Sequence, residues 1–281
     1  MKKILVTGSN GQLGSELSVL SSNYPQYEWI FADRSKITLD NLDQLPIQLN
    51  ETKADVILNC GAYTAVDKAE SEKDLAFTVN SSAVEIIAKF ASENHIKLIH
   101  ISTDYVFDGT SSVALDEEAL TNPINVYGES KLAGEAACMK QNPDSIIIRT
   151  SWVYSKFGNN FVKTMQRLIQ EREEINVVND QIGSPTYAAD LAQAMIDIVN
   201  SSNWIPGIYN YSNEGEISWH EFAISIKELG NYSCKVGGIP SSAYPTPAKR
   251  PSYSLLSKSK VKKRYNLNVP YYKESLKKMF I

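Results

Sequence analysis

Along the first half of the chain, short and nearly continuous apolar runs alternate with longer stretches whose apolar positions recur every three or four residues. The runs are "KILVT" (Lys3 to Thr7), "EWIFAD" (Glu28 to Asp33), "DVILNCGA" (Asp55 to Ala62), "KLIHIST" (Lys97 to Thr103) and "SIIIRTS" (Ser145 to Ser151). Each is bounded by turn or polar residues, and the lack of strict in–out alternation predicts strands covered on both faces. Between them lie helical stretches, notably Ser71 to His95, with apolar residues at Leu75, Val79, Ile86, Ile87 and Phe90. This order predicts an α/β fold, a doubly wound parallel sheet over residues 1–150. Beyond 150 the rhythm changes. "NNFVKTMQRLIQERE" and "AADLAQAMIDIVNS" read as helices and "INVVND" as a short strand, followed by "GIYNYSN" and the Pro-rich "GIPSSAYPTPAKRPS". Residues 151–281 are expected to form mainly a smaller α/β substrate-binding region, with a boundary that is not clean in sequence.

Composition narrows the class. The 281 residues are 43% hydrophobic and 21% charged, the balance of a globular protein with at least one large core. A formal charge of −4 exerts no general pull toward nucleic acid or anionic membrane, so neither is expected as a partner. The late basic cluster from Lys258 to Arg264 reads as a solvated helix face. Cys60, Cys138 and Cys234 are too scattered for a metal site or a disulfide framework. The apolar run after the N-terminal lysines is too short for a signal sequence, and none elsewhere reaches the roughly 18 residues of a membrane span. A cytoplasmic location is expected.

"TGSNGQLGSEL" places Gly8, Gly11 and Gly14 directly after the first strand, at the start of a predicted helix. Glycines let a phosphate approach the backbone, and a helix N-terminus favours its negative charge. A second strand ending in Asp33 about 20 residues on completes a dinucleotide-binding pattern, which makes the sheet Rossmann-like. Asp33 suits the ribose of NADH, whereas the guanidinium of Arg34 suits the 2′-phosphate of NADPH, so either cofactor fits. At the end of the third strand, "CGAYTAVDKAE" brings small residues to the sheet edge where a nicotinamide nucleotide could lie. Asp67, Lys68 and Glu70 within it are expected to cap and solvate the next helix.

In "NVYGESKLAGE", Tyr127 and Lys131 are one helical turn apart and share a face if the segment is helical. Such a pair arises often by chance. Its context is the preceding strand end "ISTDYVFDG", which puts Ser102, Thr103 and Asp104 at the carboxyl edge of the sheet, where open α/β folds bind ligands. A nearby ammonium favours a phenolate and would move the tyrosine toward working pH. Thr103 could fix a substrate carbonyl, Lys131 the nicotinamide ribose, and Tyr127 could supply a proton to the carbonyl oxygen. Trp152, Tyr154, Asn159 and Asn160 suit core or loop roles as well as ligand contact. Lys249 and Arg250 suit either a solvated loop or a nucleotide-sugar diphosphate.

The ordered set "GSNGQLG", "AYTAVDKAESE", "STDYVFDG", "NVYGESKLAGE", "RTSWVY", "GNNFVKTM", "NDQIGSPT" and "PTPAKRPSYS" closely resembles the dTDP-4-dehydrorhamnose reductase family of extended short-chain dehydrogenases/reductases. The resemblance covers nearly the whole chain. It implies reduction of the 4-keto group of dTDP-4-dehydro-β-L-rhamnose by NADPH or NADH. Cofactor contacts are implied for Gly11, Gln12, Leu13, Asp33, Asp40, Asn41, Ala62, Tyr63 and Thr64, and the expected cofactor set also takes in Gly8, Asn10, Gly14, Arg34 and Cys60. Tyr127 and Lys131 match the catalytic pair, Thr103 and Asp104 the substrate side, and Trp152 the sugar contact, with Arg250 added as a substrate residue.

Some members of that family dimerise around magnesium held by glutamates. Here Glu16 matches one, but Asp190 is the acid after "SPTYAADLAQ" and the terminus "KKMFI" carries no carboxylate side chain. A homodimer therefore stays open without a magnesium site, and Glu16 is expected as a surface or first-turn charge. Two other functions fit the same fold: a different nucleotide-sugar reductase or epimerase, and a non-catalytic dinucleotide-binding regulatory subunit.

Overall fold

Residues 1–280 are described by the structure, a computed structural model. The apolar runs form one parallel sheet whose alternate residues enter opposite cores, as the two-residue period of a strand requires. In β1 (Lys2–Thr7), Ile4 and Val6 pack with α1 (Gln12–Leu20) and the helix Ala188–Asn200, while Leu5 faces the helices Leu45–Thr52 and Ala83–Glu93. Following β2 (Tyr27–Ala32), the division repeats in β3 (Val56–Asn59), β4 (Lys97–Thr103) and β5 (Ile146–Thr150). Val56, Leu58, Ile99, Ile146 and Ile148 join the first core, and Ile57, Leu98 and Ile147 the second. Burying one such side chain contributes about 1.5–3 kcal/mol. A one-residue slip would exchange the two faces, so register is strongly held.

The strand order is 2-1-3-4-5, with Gly207–Asn210 as a sixth strand parallel to β5. That sixth strand had no assignment from the sequence pattern. Together with the helix Ala188–Asn200, which packs on α1, it returns the later chain to the first sheet. The order reverses between β1 and β3, and their carboxyl ends open the crevice where such sheets bind ligands. β3 stops at Asn59, short of the expected Ala62, because Cys60 and Gly61 leave the ladder to pass against the glycine loop.

The stretch Ser71 to His95 is helical but not one helix. Lys73–Phe77 and Ala83–Glu93 are joined by a π-helical turn, Thr78–Ser82, which turns Asn80 inward. A separate core around Tyr154, Val162, Ile169, Ile175 and Phe222 lies under the helices Phe161–Glu171 and Trp219–Leu229 and the paired strands Glu174–Val178 and Lys235–Ile239.

The basic cluster departs from a purely solvated face. Val261 and Lys258 are buried, and Lys258 and Lys262 both pair with Glu214, at 3.5 and 2.8 Å. The burial of Val261 turns the helix Ser259–Tyr265 against the first core. Among the described residues, no helix is long and apolar enough to cross a membrane.

Candidate active site

The carboxyl ends of β1, β3, β4 and β5 border a cleft of about 830 Å³. Its floor begins at Gly8, whose positive φ of 62° suits glycine and whose Cα side lies so close to Gly61 that an added Cβ would sit 2.7 Å from the Gly61 Cα. α1 then starts behind Gly11, an N-cap without a capping side chain, so first-turn N–H groups remain available for an anion. This uncapped start and close backbone approach fit the diphosphate of a dinucleotide.

Gly11, Gln12, Leu13, Gly14, Arg34, Asp40, Cys60, Ala62, Tyr63 and Thr64 all line the cleft with Gly8. Asn10, Asp33 and Asn41 lie outside that lining. Asp33 is held ionised by the Ser35 hydroxyl and backbone N–H, and Asn10 donates to it at 3.2 Å. Asn41 instead accepts the Gln44 N–H at 3.3 Å, ahead of the helix Leu45–Thr52. Arg34 and Asp40 form an ion pair with each other.

Tyr127 and Lys131 lie on the helix Val126–Gln141, begun by an Asn125 cap whose side-chain oxygen accepts the Gly128 N–H at 2.7 Å. Asn125 Nδ2 also donates to the Lys249 carbonyl at 2.7 Å, and Glu70 accepts the Val126 N–H at 2.9 Å. Glu70 thus secures the tyrosine helix rather than capping its own. Asp67 takes Arg250 in a two-pronged contact, 3.0 and 2.8 Å, and Arg250 is absent from the cleft lining. Arg250, expected as a substrate residue, in this arrangement ties the Pro-rich loop to the segment after β3.

Both members of the pair line the cleft, with Thr103, Asp104 and Trp152. Lys131 is 2% exposed and donates to the Ile101 carbonyl at 2.6 Å. Burial pulls its ammonium down to about 8, although Glu135 and Cys138 act the other way. Tyr127 is pushed up to about 12 by burial; the Thr103 hydroxyl opposes the rise and the Asp104 carboxylate adds to it. The expected lowering of Tyr127 by Lys131 is therefore not met: burial dominates, and the ammonium is turned to the Ile101 carbonyl. Asp104 is raised to about 6 by burial, despite hydrogen bonds from Ser254 at 2.6 Å and Thr103 at 3.1 Å.

Two groups escaped sequence reasoning, and a third, Glu16, sits elsewhere than expected. Asn80, buried, accepts the Tyr63 N–H at 2.9 Å and donates to the Tyr63 carbonyl and the Ser130 hydroxyl, each at 3.0 Å. It fastens the cleft segment after β3 to the tyrosine helix. An asparagine interrupting an apolar helical face was its only signal. Glu135, one turn beyond Lys131, receives Arg149 at 2.9 and 2.7 Å and Ser102 at 2.6 Å in a fully buried cluster. Glu16 is no surface charge: it is buried and accepts the Ser155 hydroxyl at 2.6 Å. Among the described residues, no group of His, Cys, Asp and Glu is placed to hold a metal ion.

Trp152 has a left-handed backbone, φ 48°, a conformation that costs a bulky residue about 1–3 kcal/mol and persists only where surroundings enforce it.

A family model described as the RmlD substrate binding domain matches residues 1–281. A dTDP-4-dehydrorhamnose reductase of Sinorhizobium fredii is 40% identical over 286 residues, covering 99% of this chain and 96% of the relative. Among solved structures, the dTDP-4-dehydrorhamnose reductase of Bacillus anthracis in complex with NADP superposes with a TM-score of 0.95 at 40% identity, covering 100% of this chain and 99% of that one. The dTDP-4-dehydrorhamnose reductase of Clostridium acetobutylicum gives a TM-score of 0.94 at 37% identity, covering 99% of this chain and 98% of that one.

Proposed function

The chain belongs to the RmlD substrate binding domain family, and from that premise we propose that it is an NAD(P)H-dependent dTDP-4-dehydrorhamnose reductase. The reaction is reduction of the 4-keto group of dTDP-4-dehydro-β-L-rhamnose to dTDP-L-rhamnose. The observation that carries this reading is the joint presence, in one cleft, of an uncapped phosphate-type helix start, Thr103 and the Tyr127/Lys131 pair.

The nicotinamide cofactor supplies hydride when bound. The remaining chemistry belongs to the chain. Tyr127 carries its proton at neutral pH, since its phenol lies near 12, and donates it to the C4 oxygen as negative charge develops there. Thr103 offers a hydroxyl to the same oxygen, and Lys131, buried one turn below, stabilises the phenolate left behind and reaches toward ribose hydroxyls. Trp152 gives the sugar a flat apolar wall. Asp33 suits a ribose hydroxyl and Arg34 a 2′-phosphate, so either NADH or NADPH fits.

The test mixes purified protein, NADPH and the 4-keto sugar nucleotide and follows both absorbance loss and product. Stoichiometric oxidation with formation of dTDP-L-rhamnose is expected. Turnover of sugar nucleotide without net NADPH consumption would point to an epimerase or dehydratase, and no turnover at all would sink the reductase assignment.

A further inference from the structure

We infer that Trp219 is a positioning residue for the sugar-nucleotide site, holding Trp152 in the one orientation that makes its indole a wall of the cleft. The inference rests on the reductase reading above. Trp152 and Trp219 lie face to face, with ring centroids 3.7 Å apart and planes 13° from parallel. Trp152 lines the cleft, whereas Trp219 does not reach it and is backed by Phe161 at 4.6 Å.

Trp219 cannot drift. It is the first residue of its helix, behind a reciprocal cap in which Ser218 accepts the Glu221 N–H at 3.2 Å and Glu221 accepts the Ser218 N–H at 2.7 Å. The preceding strand Ile217–Ser218 is bonded antiparallel to Ile182–Gly183, with Ile217 opposite Gly183. Gly183 touches the other limit of the same indole: an added Cβ would lie 3.0 Å from Cε2 and Cζ2 of Trp152. One short ladder thus carries both groups that bound the indole, Trp219 against its face and Gly183 against its edge. The Trp152 backbone is pinned as well, its carbonyl accepting the Thr186 N–H at 3.3 Å.

A core tryptophan needs only apolar neighbours. A left-handed backbone together with a stacked face and a glycine-cleared edge fixes the plane of the ring, which is what a saturated sugar ring presenting C–H bonds and a methyl group requires of its wall. Asp33 lies at the other end of the sheet edge, beyond β2, and the phosphate-loop helix meets this segment through Gln12, which bonds the Val153 carbonyl and Asn160 and makes no hydrogen bond to the indole. Disturbing the stack should therefore affect the sugar nucleotide and spare the dinucleotide.

The experiment compares wild type, Trp219→Leu, Trp219→Phe and Gly183→Ala in steady-state turnover, with separate KM values for sugar nucleotide and NADPH. Far-UV circular dichroism records the couplet of two stacked indoles. Trp219→Leu is expected to abolish the couplet and raise the sugar-nucleotide KM by about tenfold while the NADPH KM holds. Trp219→Phe loses the couplet but keeps an aromatic face and stays within about threefold of wild type. Gly183→Ala, which leaves Trp219 in place and presses the indole edge, raises the sugar-nucleotide KM even if Trp219→Leu does not fold. Wild-type KM in both Trp219→Leu and Gly183→Ala, or equal rises in both KM values, overturns the inference alone. An inactive wild-type enzyme removes the reductase reading and the inference with it.

Discussion

Desolvation shifts Tyr127 and Lys131 in opposite directions. It keeps the phenol protonated and weakens the ammonium, so the acid is ready to donate while the base sits at an energetic cost. Tyr127→Phe removes the proton donor and is expected to lower kcat by about 10²–10⁴ with little change in KM; steady-state assays check this, and a kcat near wild type would displace Tyr127 from the acid role. For Lys131 the consequence is also thermodynamic. Its pKa is about 8 in the folded protein against 10.5 ordinarily, so between those values the unfolded chain holds a proton that the native one has released. Stability therefore rises with pH across that window, and below pH 8 the cost of the buried charge is fully present. Lys131→Met should be inactive yet more stable at pH 7, by up to about 3 kcal/mol, with the gain shrinking as pH climbs from 8 toward 10.5. The lost bond to the Ile101 carbonyl sets that figure as an upper bound. Urea unfolding at pH 7 and pH 10 measures it, and a variant less stable than wild type at pH 7 would contradict the assigned cost.

The tyrosine helix gains its place by touching other backbones directly. A Cβ on Gly134 would lie 2.0 Å from the Asn80 carbonyl oxygen in the π-helical turn, and one on Gly128 2.2 Å from that of Tyr105. Gly→Ala inside an ordinary helix stabilises by about 1 kcal/mol. At Gly134 the sign should reverse, with a loss of about 1–3 kcal/mol from forced displacement, and kcat should fall because the helix carrying Tyr127 and Lys131 must shift. Thermal midpoint and kcat report the two effects; a stabilised, fully active Gly134→Ala would show that the contact is not tight. These contacts also mark where sequence reasoning stops. Five strands of the sheet, the glycine loop and the i,i+4 pair were legible because their physics is local: a continuous apolar run, glycines at a helix start, one helical turn. The glycine of "LAGE" is visible in the sequence, but its partner is not. Asn80 and Glu135 act through groups 50 and 14 residues away, Ser130 and Arg149, and no local pattern announces such pairing. Arg250 looked free for the same reason, since Asp67 lies 183 positions from it. The strand Gly207–Asn210 is short and sits between a helix and a loop, so only its fit beside β5 identifies it.

At the scale of the molecule, the question is whether the sheet with its phosphate loop can loosen independently of the chain beyond residue 150. The contacts argue that it cannot. Gln12, in the first turn of α1, donates to the Val153 carbonyl at 3.3 Å and accepts from Asn160 at 2.9 Å, and Glu16 one turn later holds Ser155. Asp190, on the helix that packs against α1, accepts Asn213 and Lys278, each at 2.8 Å, as well as Ser275, anchoring the last helix Tyr272–Lys277 to the same body. The helix that would receive a cofactor diphosphate is thereby bonded to the loop that bears Trp152. Cofactor binding should stabilise the whole chain as one unit. NADPH at a hundred times its dissociation constant adds about 2.7 kcal/mol to the native state. Calorimetry is expected to show a single endotherm that moves upward intact with NADPH. Two endotherms, of which NADPH shifts only one, would mean that the bonds from Gln12 and Glu16 do not join the halves, and that the cleft is a seam between independently unfolding parts.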